Sequence, residues 1–398
     1  MGNDFKKKKL FKEEIYLRCL GLNNSYDLER HTNLNIQLKN VKLGDDMQAS
    51  LGKGLSKCRN LRNLSLDLSS TDEKRYLNQS CLISSGLSKC KNLMILTLKL
   101  SNIDQNSVCH LCSFVGHSKS LESLTIDFSG QIYSAYSYYK SKDQVYIIFS
   151  GEQLFKSVAN CKSLKSLILQ LRQYNVLTYD LIDCLNNQSN SLTSLTLIHS
   201  FLGIYNLCKF IGKYKNLSNF YLELTDPILA EKKNLFCIGS GLAKAVNLKT
   251  LTLKLQIVNS KGGINWGFDL GSGLSKMLNI TNLTLEFVSN SDKIFDQTIG
   301  IQGVPNLITF GIQKCLNLTA LNIKLSYLSE ISPQHLLGLL SNLGNCTNLQ
   351  ILILDFSKNL MNWTDLTNPS LSQVQNKTLK FFSLKIQRYF NAFQFQNQ

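Results

Sequence analysis

The chain has 398 residues, 43% of them hydrophobic and 18% charged, and its 43 Lys and Arg against 27 Asp and Glu leave a formal net charge of +16. No apolar run approaches the roughly 18 residues needed to span a bilayer, which argues against a helical membrane protein. Single cores stop growing near 250–300 residues (roughly), so a chain of this length needs either several domains or a repeat array whose units touch only their neighbours.

Residues 1–30 open with Met1-Gly2-Asn3-Asp4-Phe5 and a basic run from Lys6 to Lys9. No apolar stretch follows that run, so a secretory leader is not expected. Met1-Gly2 suggests an acylation start, but Lys6 stands where Ser or Thr is wanted. Phe11, Ile15 and Leu17 are expected to form an N-terminal cap over residues 1–30. Twelve cysteines in a chain without an evident leader are expected to be reduced thiols, which places the protein in the cytoplasm.

From residue 31 onward one phrase returns. Cys58-Arg59-Asn60-Leu61-Arg62-Asn63-Leu64-Ser65-Leu66-Asp67-Leu68 comes back as Cys90-Lys91-Asn92-Leu93-Met94-Ile95-Leu96-Thr97-Leu98-Lys99-Leu100. It recurs from Cys161, Cys315 and Cys346, and with other residues at the Cys position from Ser118, Ser189, Tyr214, Ala245, Met277 and Asn376. A degenerate first copy ends in Leu34-Asn35-Ile36-Gln37-Leu38. The Leu-x-Leu-x-Leu ending has period two and predicts a strand with one buried face. Upstream, Leu51/Leu55, Ile83/Leu87, Ile238/Leu242, Leu270/Leu274 and Leu339/Leu343 are i, i+4 pairs that predict a helix with one apolar stripe. The result is about twelve strand–loop–helix–loop units over 31–387, followed by a Gln/Asn-rich tail over 388–398.

The segment Leu43-Gly44-Asp45-Asp46, Ala49, Leu51, Leu55, Cys58, Leu61, Leu64, Leu66 resembles the leucine-rich-repeat family, in its longer ribonuclease-inhibitor-like units. That resemblance implies an α/β right-handed solenoid, a horseshoe with a parallel sheet on the concave face and helices on the convex face. The family usually places Asn just after the strand, where its amide bridges successive coils. This chain has Ser69, Ser101, Ser129, Arg172 and Ser200 there, so that ladder is missing.

Two outward columns of the sheet follow from the strand period. One runs Ser65, Thr97, Thr125, Ile168, Thr196, Tyr221, Thr252, Thr284, Asn322, Ile353, Ser383. The other carries Asp67, Lys99 and Asp127, then Glu223, Lys254, Glu286, Lys324, Asp355 and Lys385, with Gln170 and Ile198 between the two groups. Strands about 4.8 Å apart make this a concave-face charge ladder of alternating sign, either self-neutralising or read by a partner. The cations Lys57, Arg59, Lys89, Lys91, Lys119, Lys162, Lys213, Lys215, Lys244, Lys249, Lys276 and Lys314 flank the Cys position, where each helix ends, and form a basic rim. The longest insertion, about 129–150, gathers Tyr133, Tyr136, Tyr138, Tyr139, Lys140, Lys142 and Tyr146 and is the single best candidate for a partner contact.

Chemistry is harder to find. The Cys109-x-x-Cys112 pair lacks a second pair to close a zinc site. The Gly52-Lys53-Gly54 and Gly239-Ser240-Gly241 segments precede strands, the wrong polarity for phosphate loops. The five histidines are scattered. No catalytic residue, metal or cofactor is expected. The reading is a non-enzymatic protein–protein interaction scaffold or adaptor. An alternative is a regulator of an enzyme, of the GTPase-activating or inhibitor type found among leucine-rich-repeat proteins. A second alternative is a nucleic-acid-associated adaptor working through the basic rim.

Overall fold

A computed structural model describes residues 31–41, 45–69, 80–100, 110, 113–128, 152–171, 191–199, 211–228, 238–257, 263–289, 304–326, 333–358 and 378–386. The chain divides into two compact units, Met1–Leu192 and Thr193–Gln398. The first holds strands β1 (Asn33–Gln37), β2 (Asn63–Leu68), β3 (Ile95–Leu100), β4 (Ser123–Asp127) and β5 (Ser166–Leu171). Its described helices are α1 (Asp45–Lys57), α2 (Ser80–Leu87) and α3 (Glu152–Asn160). The second holds β6 (Ser194–His199), β7 (Asn219–Ile228), β8 (Thr250–Ile257), β9 (Asn282–Ser289), β10 (Ala320–Ser326), β11 (Ile351–Lys358) and β12 (Phe381–Ile386). Helices α4 (Ile238–Leu242), α5 (Gly263–Leu274), α6 (Val304–Ile312) and α7 (Pro333–Gly344) separate its later strands.

The fold is α/β. Within each unit every strand pairs in parallel with the next one in sequence, β1 to β5 in the first and β6 to β12 in the second. The predicted phrases coincide with these strands, and their register is the one the leucines set: Leu64 opposite Leu96, Leu66 opposite Leu98, Leu68 opposite Leu100. Each inward leucine is paired with an inward leucine of the next coil because a slip of one residue would turn the whole row to solvent.

Helical and strand leucines of one coil are buried together. Leu51, Leu55, Leu61, Leu64, Leu66 and Leu68 are all withdrawn from solvent, as are Leu270, Leu274, Ile280, Leu283 and Leu285. Each such burial is worth about 1.5–3 kcal/mol, yet every one needs a neighbouring coil to supply the other wall.

Three sets of directional contacts fix how coils stack. The first is an asparagine ladder, sited immediately before the strand and not after it. The Nδ2 of Asn92 donates to the Arg59 carbonyl (3.1 Å), Asn247 to Lys215 (2.5 Å), Asn279 to Val246 (2.9 Å), Asn317 to Leu278 (2.8 Å) and Asn348 to Leu316 (2.6 Å). Where Asn is absent, a hydroxyl serves: Ser120 Oγ donates to the Lys91 and Leu93 carbonyls, and Thr378 Oγ1 to those of Thr347 and Leu349. The expected lack of a coil-bridging amide holds for the position after the strand and is corrected for the coil as a whole.

The second set comes from the recurrent cysteines. Cys58, Cys90, Cys161, Cys315 and Cys346 are buried free thiols. Cys90 Sγ points at the Leu55 carbonyl of the preceding coil (3.3 Å) and Cys315 Sγ at that of Leu274 (3.2 Å). Burial pushes the Cys58 thiol up to about 11 and those of Cys90 and Cys315 up to about 12, so they persist as thiols and not as nucleophilic thiolates.

The third set is glycine against backbone. A Cβ on Gly86 would run into the Gly52 carbonyl, one on Gly273 into that of Gly239, and one on Gly311 into that of Gly271. Successive helices therefore touch main chain to main chain. In α6 and α7 the same two positions hold Thr309 and Asn342, and the Asn342 amide donates to the Thr309 hydroxyl (3.3 Å). Asp269 adds a tie from α5, its carboxylate accepting from the Gly239 N–H at the start of α4 (2.7 Å).

One inward position breaks the apolar pattern. His199 ends β6 at the place that Leu68, Leu100, Leu171 and Leu224 hold in other strands, and it is buried. Burial pushes its imidazole down to about 4.

Two predictions follow from this packing. Gly54 lies in α1 with open space where a Cβ would stand. Gly54→Ala is therefore expected to raise stability by up to about 1 kcal/mol, and Gly86→Ala to lower it by about 2–3 kcal/mol. Urea midpoints of the two variants should move in opposite directions, and a shared direction would refute the main-chain contact. For His199, an unfolded chain titrates near 6.5, so between about pH 6.5 and 4 the unfolded state holds the extra proton. The stability tied to the neutral ring is complete above the unfolded value and is lost as pH falls through the folded one, at most roughly 3 kcal/mol. His199→Leu should flatten urea midpoints across this range; an unchanged slope would assign the acid sensitivity elsewhere.

Candidate functional site

The outward face of the sheet in the second unit carries the densest array of interacting polar side chains among the described residues. Strand alternation turns Tyr221 and Glu223 of β7, Lys254 of β8, Glu286 of β9 and Lys324 of β10 outward, and parallel pairing sets Glu223 opposite Lys254, Lys254 opposite Glu286 and Glu286 opposite Lys324. The Lys324 ammonium lies 2.6 Å from a Glu286 oxygen, and the Lys254 ammonium lies 3.7 Å from Glu286 and 4.0 Å from Glu223. The Tyr221 hydroxyl donates to Glu223 (2.5 Å), and Lys254 stands over the Tyr221 ring at 5.5 Å.

These contacts tune one another. Partial burial pushes the Tyr221 phenol up, and its bond to Glu223 pushes the same way. Partial burial alone would pull Lys254 down, but the Tyr221 hydroxyl together with Glu286 and Glu223 raises it above its ordinary value. Lys254 is thus firmly charged, and both it and Lys324 stand partly exposed beside Glu223 and Glu286, which are mostly covered.

The rest of the predicted ladder is in register. Asp67 is opposite Lys99, Lys99 opposite Asp127, Lys324 opposite Asp355 and Asp355 opposite Lys385. Asp67 is buried and accepts from the Ser69 N–H (3.0 Å) and hydroxyl (2.6 Å). The physical difference is one methylene. Glu286 reaches across a gap of about 4.8 Å to the neighbouring strand, whereas Asp67 is short enough to turn to its own chain two residues on.

Of the other candidates, Tyr133, Tyr136, Tyr138, Tyr139, Lys140, Lys142 and Tyr146 lie outside the described residues, as do Cys109 and Cys112. The rim cations from Lys57 to Lys314 stand at the helix-to-strand turns and, apart from the half-buried Lys57, are exposed. At the starts of β2 to β5 a shallow groove of about 410 Å³ is lined by Arg62, Met94, Glu122 and Lys165, with Lys165 paired to Glu122 at 3.0 Å. Tyr221 was assigned by alternation to the small polar column; its part in the charged network needed the register and the reach of its hydroxyl. Among the described residues no cluster of His, Cys, Asp and Glu is arranged to hold a metal ion, and no helix is long and apolar enough to cross a membrane.

No protein-family model matches the chain, and no curated protein matches it.

The closed part of the network makes a quantitative expectation. A double-mutant cycle on Glu286→Gln and Lys324→Met should give a coupling of about 0.5–1 kcal/mol, because both groups still reach solvent. The coupling should shrink in 1 M salt (roughly). A value near zero at low salt would show that the pair is geometry without energy.

Proposed function

We propose that the chain is built of leucine-rich-repeat coils of the ribonuclease-inhibitor-like type and works in the cytoplasm as a non-enzymatic scaffold that presents its open sheet face to a protein partner. The observation that carries this reading is the Tyr221–Glu223–Lys254–Glu286–Lys324 network. It is held on rigid strands, its charges alternate at the strand spacing, and Tyr and Lys present mixed apolar and polar contact area at fixed positions.

A buried core of thiols and leucines leaves the interior occupied by packing. Recognition falls to side chains that the strand period turns outward. The small residues beside the network, Thr252 and Thr284, leave the charged column accessible to an approaching surface.

The test is a purified binary complex. Affinity capture with the intact chain supplies candidates, each then titrated against the wild type and against a Lys254→Gln, Lys324→Gln variant. The dissociation constant is expected to rise at least about tenfold, with most of the change in the dissociation rate. A partner bound with unchanged affinity by this variant, but lost on deletion of residues 131–149, would move the contact site off the sheet.

A further inference from the structure

Among the described residues, strongly exposed apolar side chains are concentrated in one place. Six large hydrophobic residues among those described are more than half exposed, and five of them fall on three consecutive coils of the second unit: Val246 at 52%, Leu278 at 56%, Leu316 at 60%, Phe310 at 61% and Phe268 at 67%. Val246, Leu278 and Leu316 occupy the same position, one residue past the Cys position, at the tip of the turn between helix and strand. In the first unit that position is Arg59, Lys91, Lys119 and Lys162, so the fold does not require an aliphatic residue there.

The three side chains are carried on the asparagine ladder itself. The carbonyls of Val246, Leu278 and Leu316 are the acceptors for Asn279, Asn317 and Asn348. Coil spacing is therefore held by hydrogen bonds at the very residues that protrude. Each is also preceded, two residues earlier, by an exposed lysine: Lys244, Lys276 and Lys314. None of these lysines takes part in an ion pair among the described residues. Phe310 lies four residues before Lys314 and Phe268 eight before Lys276, so the outward helical stripe extends the patch.

We infer that this edge of the second unit is a docking surface for an anionic lipid bilayer, with Val246, Leu278 and Leu316 entering the headgroup boundary and Lys244, Lys276 and Lys314 meeting the lipid phosphates and carboxylates. Cations alternating with single protruding aliphatic side chains match an interface that is fluid and negatively charged. A protein partner would require pockets shaped to each tip, and a nucleic acid would use the cations but leave the aliphatic residues without a role. The inference goes beyond the scaffold reading and does not depend on it, since the sheet face and this edge are different surfaces of the same coils.

The experiment is co-sedimentation of the full chain with phosphatidylcholine vesicles containing about one-third phosphatidylserine, beside vesicles of phosphatidylcholine alone. Binding is expected to the first and little to the second. Val246→Ser with Leu278→Ser and Leu316→Ser should lower partitioning at least about tenfold, and Lys244→Gln with Lys276→Gln and Lys314→Gln by about tenfold or more. Thermal melting should show both triple variants folded; were the serine triple to fail to fold, the single Leu278→Ser and Leu316→Ser proteins should each lose about threefold. Three results would overturn the inference: no binding to anionic vesicles at low salt, binding unaffected by the serine substitutions, or loss of a purified acidic protein partner on those substitutions with vesicle binding intact.

Discussion

A coil of this protein cannot hide its own inner face, and that constraint organises everything else. A strand of 5 to 10 residues and a helix of 5 to 13 expose two apolar stripes that can meet each other but still lack a lid above and below. Only another coil, with leucines at the same heights, supplies one. Within each unit, parallel pairing of a strand with its sequence neighbour follows directly, because the neighbour is the nearest surface with a matching pattern. The least covered strand illustrates the point: in β12, the last of the second unit, the inward Phe382 and Leu384 remain partly open whereas Leu352 and Leu354 of β11 are fully buried.

Leucine burial is strong but not directional, so it does not by itself say how far one coil sits from the next. That information lies in the polar and small residues. An asparagine or a hydroxyl before the strand reaches back to a carbonyl of the preceding turn, a buried thiol does the same from the core side, and glycine pairs bring helix backbones into contact. The Thr309–Asn342 bond is instructive because it replaces a glycine contact with a hydrogen bond across the same helix pair geometry. Two solutions to one spacing problem indicate that the spacing is what matters, and a side chain is acceptable there only when it brings its own partner.

Most of the fold was legible because it is repeated. One Leu-x-Leu-x-Leu segment is weak support for a strand, but the same spacing recurring from Leu61 to Leu379 fixes strand position, buried face and register together. The candidate site was legible only to the level of columns. Alternation placed Glu223, Lys254, Glu286 and Lys324 on one face, yet it treated Asp67 and Glu286 as equivalent. The structure separates them by reach, since a shorter carboxylate near a strand end turns to Ser69. The bridging asparagines are legible as a recurrence and not as contacts: Asn92 and Asn317 stand within the recurring Cys-x-Asn-Leu phrase, before the strand and not after it. Their role is a contact between coils about thirty residues apart or more, which periodicity locates but does not describe.

The same repetition sharpens what counts as unexplained. At positions the core dictates, identity hardly varies, and Leu64, Leu96, Leu124, Leu167 and Leu195 need no account beyond burial. At the turn tip the fold is indifferent: it accepts Arg59 in one unit and Leu278 and Leu316 in the other, each with its carbonyl taking the amide of the next coil's asparagine. An indifferent position should by default hold a solvated residue, because an exposed aliphatic side chain gains nothing from the folded chain and favours self-association. Three aliphatic residues on consecutive coils therefore cannot be traced to stacking, and the ladder that holds their carbonyls makes them a rigid row and not three separate accidents. Repeat architecture in this way supplies its own control, since every coil that carries a cation at the tip shows what the fold alone requires of a coil that does not.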